Sequence, residues 1–373
     1  MPERVVFLSP GFLGFTSFGD TSYFKDVEQA LKAALTRRDA AARVIVCPTE
    51  PTGSIVRRAD RLRHHVLAQC DARHDVLHFV GHSTGGLDIR LLLAPGVRIG
   101  GNAGLEFIAE NARSAISVVS PHHGAPAAGM FATAKGSALL LVIASLASTG
   151  RLRAARNAAS NATSLLAQFG DRILGTGGRI DELVAGLSRR IRFEGEDVVW
   201  KYLDDIKEDR GALLQLTPEA AHLFSATVLD RSSVAYGCVV AGTLPPDMAL
   251  KSSVALKPVR AASEALYSVL YSATSAENVS YPYPEPTAAI RKSLESGLGF
   301  EVGPETNDGI VPTFSQLHGR LIHAACADHM DVVGHYSRAP EGTGDWLPSG
   351  AKFTPDRFEA LWDAVAAAIV EAE

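Results

Sequence analysis

The sequence predicts an α/β fold in which a mostly parallel central sheet carries helices on both faces and a helical insertion interrupts the order. Three observations carry this reading: short Val/Ile/Leu-rich runs bounded by Gly, Pro or Ser, helical periodicity between those runs, and one long stretch where the alternation stops. The runs at 4–9, 43–47, 75–80, 115–120 and 234–241 are nearly all apolar, as strands covered on both faces must be. The segments 23–35, 54–70 and 87–93 have a helical apolar stripe, so strand and helix alternate as a doubly wound sheet requires. After "GAPAAG" the alternation breaks, and 130–210 reads as several helices with no strand, its apolar first part a buried helix or the underside of a lid. Residues 1–129 and 211–373 then form the core. A second excursion, 244–300, contains the amphipathic "PVRAASEALYSVLYS" and the turn-rich "YPYPEP".

Composition narrows the function classes. A chain of 373 residues that is 46% hydrophobic buries a large core, and its net charge of -5 offers no general attraction to nucleic acid. Cys47, Cys70, Cys238 and Cys326 show no CxxC spacing and read as reduced core thiols. The apolar "GSALLLVIASLAST" is shorter than the roughly 20 residues a bilayer span needs, so no stable membrane anchor is expected. "MPERVVFLSPGF" opens a strand at once, without the charged and apolar regions of a leader, and the expectation is a cytoplasmic protein. A leader trimmed before this start would instead imply secretion.

The stretch "HFVGHSTGGLDIR" carries the chemistry. A serine hydroxyl is a weak nucleophile at neutral pH and needs an adjacent base, so an enzyme must hold it exposed at the tip of a sharp turn. Gly81-His82-Ser83-Thr84-Gly85 is the chain's one G-x-S-x-G, with a buried strand before it and a helix after it, the context in which this turn forms a nucleophile elbow. The bland alternative is a glycine-rich structural loop. The elbow demands an acid and then a histidine later in the chain. "ETNDGIVP" supplies Asp308 in a turn, and "ACADHMDVVGHY" supplies His329 after the apolar "RLIHAA". Among the twelve histidines, His335 is the second choice, His318 and His323 lie too near the last strand, and His82 reads as elbow packing. Asp328 and Asp331 flank His329 too closely to partner its Nδ1. Two backbone N–H groups must face the developing oxyanion. Thr84 provides one, and Phe12, just past Pro10-Gly11, provides the other unless Pro-Gly is an ordinary β-turn.

Taken together, "GFLGF", "VGHSTGG", "SPHHGAP", "LTPEAAHLF", "TNDGIVP" and "DHMDVV" resemble, in order and spacing, the bacterial triacylglycerol lipases of the α/β-hydrolase superfamily, over most of 1–128 and 213–335. The resemblance implies an α/β-hydrolase core, Ser83, Asp308 and His329 as a catalytic triad, Phe12 and Thr84 as oxyanion donors, and a mobile lid at 130–210. Three departures stand out. Pro10 replaces the family's usual histidine ahead of the oxyanion glycine. The family's disulfide has no matching cysteines. Of its structural calcium site only Asp331 matches, with His335 in place of an amide ligand, and calcium favours six to eight oxygens, so no metal and no organic cofactor is expected. The expected function is hydrolysis of carboxylic esters, lipid-like or aromatic, with activity rising through roughly pH 6–7 as an imidazole becomes neutral. Alternatives are an acyltransferase using the same triad and a non-catalytic binding protein with the same fold.

Overall fold

Six apolar runs pair side by side, all parallel, in the spatial order β4-β1-β5-β6-β7-β8. They are β1 (Arg4–Ser9), β4 (Arg43–Val46), β5 (Val76–His82), β6 (Ala112–Val118), β7 (Ala235–Gly242) and β8 (Arg320–Cys326); β2 (Ser17–Phe18) and β3 (Thr21–Ser22) form a separate antiparallel pair. This is a computed structural model, and it describes residues 3–12, 17–18, 21–50, 52–70, 75–101, 103–131, 211–246, 258–278, 283–337, 345 and 347–373. The lid expected at 130–210 lies, from residue 132 onward, outside the described residues.

Successive side chains of a strand point to opposite faces, and β1 shows what each face meets. Val6 and Leu8 pack with Leu31 and Leu35 of α1 (Val27–Thr36) and with Trp362 and Val365 of the last helix (Pro355–Glu371). Val5 and Phe7 pack on the other side with Leu62 of α2 (Ile55–Gln69), Leu92 of α3 (Thr84–Leu93) and Ile108 of α4 (Leu105–Asn111). The Phe7 and Phe79 rings stack at 5.7 Å between centroids. Each such fully buried large side chain contributes about 1.5–3 kcal/mol, and covering both faces is why these strands read as unbroken apolar runs.

The helices begin where their caps say. Ser54 accepts from Arg57 N at the start of α2, and Thr354 accepts from Arg357 N ahead of Pro355. Two boundaries differ from the sequence reading, both beside the elbow. Helix α1 starts at Val27 rather than residue 23, which frees Tyr23 to turn into the core. Helix α3 starts at Thr84 rather than residue 87, so Gly85 and Gly86 are helical although each glycine costs about 1 kcal/mol there. Packing decides this: a Cβ on Gly85 would collide with the Ser9 carbonyl, and one on Gly81 would collide with the backbone of Gly85 and Gly86. No helix among the described residues is long and apolar enough to cross a membrane.

Candidate active site

The C-terminal ends of the parallel strands gather the site, as open α/β sheets generally arrange. Strand β5 runs into α3 through Ser83, whose backbone sits at φ 54° and ψ -127°, a region sparsely populated for residues with a Cβ. Ser83 N donates to Val118 O at 2.9 Å, and Gly86 N donates to Ser83 O at 3.1 Å, so both neighbours hold the turn. Ser83 occupies the cap position of α3, yet its side chain makes no cap bond. The hydroxyl is therefore withheld from the role a serine ordinarily takes at that position. Ser83 is 6% exposed.

Asp308 lies in the turn between β7 and β8. Its Oδ1 accepts from Ile310 N at 2.9 Å and Val311 N at 2.7 Å, and its Oδ2 stands 2.7 Å from His329 Nδ1. His329 N also donates to Asp308 O at 3.0 Å, which fixes the two loops against each other. A carboxylate only accepts, so Nδ1 carries the proton and Nε2 is left as the basic nitrogen.

His82, expected as packing, ties these parts together. A carbonyl only accepts, so His82 Nε2 donates to His329 O at 2.9 Å; its Nδ1 must then accept, and Tyr23 Oη donates to it at 2.7 Å. Gly11 N in turn donates to Tyr23 Oη at 2.9 Å. One tautomer satisfies the whole chain. Burial, then the neighbouring His329, pushes the His82 imidazole well below its ordinary value, so it stays neutral with its ring centroid 4.8 Å from that of His329.

The segment Pro10-Gly11-Phe12 passes directly over the elbow, and a Cβ on Gly11 would collide with that of Ser83. Phe12 N donates to Thr84 Oγ1 at 3.0 Å, so the two expected oxyanion residues touch through the threonine hydroxyl. Pro10 is braced from below. Arg58 donates to Pro10 O at 2.6 Å and to Glu50 O at 2.6 Å, and pairs with Asp88 at 2.9 Å, both side chains fully buried.

The structure thus brings Asp308 to His329, Phe12 to Thr84, and Gly11, His82 and Gly81 around Ser83. Among the described residues it records no hydrogen bond between Ser83 Oγ and His329 Nε2; such bonds often tighten only when substrate is bound. The rival histidines are engaged elsewhere. His335 Nε2 donates to Tyr23 O at 2.9 Å and burial pushes it down to about 4; His318 pairs with Asp230 at 2.9 Å; His323 lies within β8. A second Ser-His-Glu constellation, Ser114, His78 and Glu373, has contacts of 2.8 and 2.9 Å, but Ser114 is only 1% exposed and sits near the N-terminal end of its strand, away from the loops.

Among the described residues no three His, Cys, Asp or Glu side chains gather into a metal-binding group, and Asp331 Oδ2 accepts from Asp328 N at 3.0 Å. Burial, then the Asp328 charge, pushes the Asp331 carboxyl well above the carboxylate range.

Sequence reasoning missed Tyr23, Arg58, Asp88 and Gln316. A signal existed for two. Arg58 sits on the core-facing stripe of α2 with Ile55, Ala59 and Leu62, and Asp88 interrupts the apolar run of α3. A charged residue at such a position calls for a buried partner.

No family model matches the chain, and no curated protein matches it. Among solved structures it is similar to a metagenomic carboxyl esterase, MGS0156, at 16% identity and a TM-score of 0.50, covering 99% of this chain and 76% of that one. It is also similar to lipase 1 from Pelosinus fermentans at 17% identity and a TM-score of 0.50, covering 98% of this chain and 99% of that one. With its six parallel strands, helices on both faces and a serine turn at the end of β5, the chain has the α/β-hydrolase fold.

Proposed function

We propose that this protein hydrolyses carboxylic esters through an acyl-enzyme on Ser83. The observation that carries the reading is the strained, uncapped serine at the β5–α3 turn, whose chain neighbour His82 bonds the carbonyl of His329, a histidine with its Nδ1 held 2.7 Å from a buried carboxylate. Ser83 Oγ attacks the ester carbonyl carbon while its proton passes to His329 Nε2; Asp308 keeps the imidazole in the competent tautomer and stabilises the imidazolium. The Phe12 and Thr84 amides receive the oxyanion, for which Phe12 N–H leaves the Thr84 hydroxyl. His329 returns the proton to the departing alcohol, then takes one from water as the water oxygen attacks the acyl carbon, and passes that proton to Ser83 Oγ as the C–Oγ bond breaks and the acid leaves. The similarity in fold to a carboxyl esterase and a lipase agrees with this class of substrate. Ser83→Ala should fold normally and lose nearly all hydrolysis of p-nitrophenyl esters, together with labelling by a fluorophosphonate probe. Unchanged turnover in that variant would discard the assignment.

A further inference from the structure

We infer that Gln316 is a positioning residue for this chemistry: its amide orients the Asp308 carboxylate and tempers its charge, and so acts on His329. The inference rests on the triad reading above and adds a residue to it. Gln316 ends a short 3-10 turn, Thr313–Gln316, and is fully buried.

Its hydrogen bonds allow one orientation. Ala241 N can only donate, so the amide atom 2.7 Å from it is the acceptor Oε1. The opposite atom, Nε2, faces three acceptors: Ala241 O at 3.1 Å, Val311 O at 3.1 Å and Asp308 Oδ2 at 3.2 Å. Only an amide of this length offers an acceptor to the end of β7 and donors to the acid turn at once. A glutamate at 316 would set a second carboxylate against Asp308, and a methionine would leave the buried Ala241 N without its acceptor and take one donor away from Asp308 Oδ2.

The placement on Oδ2 gives the contact a chemical consequence. Oδ1 of Asp308 is held by two backbone N–H groups, whereas Oδ2 is the oxygen that meets His329 Nδ1. Among the described residues Gln316 is the one other side chain that donates to it. That donor fixes rotation of the carboxylate about its last bond and takes up part of the charge the imidazolium sees. Among the described residues, His82 and Tyr267 are further titratable groups that face the pair, and Asp328 precedes His329 in the chain.

The test compares Gln316→Met and Gln316→Glu with the parent protein on a short p-nitrophenyl ester. For Q316M, kcat should fall about 10- to 100-fold, the range for losing a hydrogen bond to a charged group, with KM within about twofold. The acid limb of kcat/KM should move up by roughly half a pH unit, because a carboxylate with fewer donors favours the imidazolium more. A parental kcat and acid limb, with only the melting temperature lowered, would reduce Gln316 to packing. Glutamate at 316 covers the case in which Q316M does not fold. Ionised, it should move the acid limb upward; neutral, it still donates one proton and should retain most of kcat. A Q316E protein crippled at an unmoved acid limb would overturn the inference. The low-field proton resonance of His329 Nδ1–H is read without turnover, and it should shift in either variant and stay in place in Ser83→Ala. If the parent cleaves no ester, the hydrolase reading fails, and this resonance still decides whether Gln316 acts on the Asp308–His329 pair.

Discussion

Ser83 holds a conformation that favours glycine, and the surrounding contacts impose it. Its φ of 54° with ψ of -127° costs about 1–3 kcal/mol, which the strand before it and the helix after it over-determine. Replacing the side chain therefore separates stability from chemistry. Ser83→Gly should raise the unfolding free energy by about 1 kcal/mol in urea denaturation while abolishing ester turnover, whereas Ser83→Ala, which keeps the Cβ, should leave stability near the parental value. A destabilised glycine variant would mean that the turn is unstrained and that the uncapped hydroxyl has another cause. His82 makes a related point at the same scale. Its position beside the serine looks like packing in the sequence, but one neutral tautomer links Gly11, Tyr23 and the His329 carbonyl.

Helix α2 does more than cover a face of the sheet. Its Arg58 is buried with Asp88 of α3 and grips the carbonyl of Pro10, so two helices and the loop after β1 share one cation. This guanidinium at Pro10 O, with Tyr23 Oη at Gly11 N, braces the loop after β1. Removing one member of a buried ion pair leaves an uncompensated charge, so Arg58→Met should cost about 3–5 kcal/mol by denaturant unfolding. Adding Asp88→Leu should recover much of that stability. Ester turnover should stay low in the double variant, because the Pro10 carbonyl remains unheld. Recovery of activity along with stability would show that the pair serves only the core.

Across the whole molecule, the sheet and its two helical layers make a rigid platform, and the site sits where loops from four strands converge at one end. The segment 130–210 begins with the last two residues of α5 (Pro126–Phe131), a helix that follows β6 and so starts at that same end. Removing part of it should change the ratio of activities on short- and long-chain esters by several-fold more than it changes labelling of Ser83 by a fluorophosphonate. An identical chain-length profile would reject a role for the insertion in choosing the acyl group. Selectivity would then have to come from the core itself.

The alternation of strand and helix and the serine turn after β5 were legible in the sequence, because each rests on a local pattern: apolar runs, and glycines whose added Cβ would strike neighbouring backbone. The partners of the residues at the site were not. Tyr23, Arg58 and Gln316 act on residues 59, 48 and 8 positions away in the chain, and His82 on one 247 positions away. What a buried polar side chain does depends on which donor or acceptor lies opposite it, and that is settled only when distant segments pack. Local patterning determined the scaffold and pointed to Ser83, Asp308 and His329; tertiary packing alone decided which hydrogen bonds hold those residues in place.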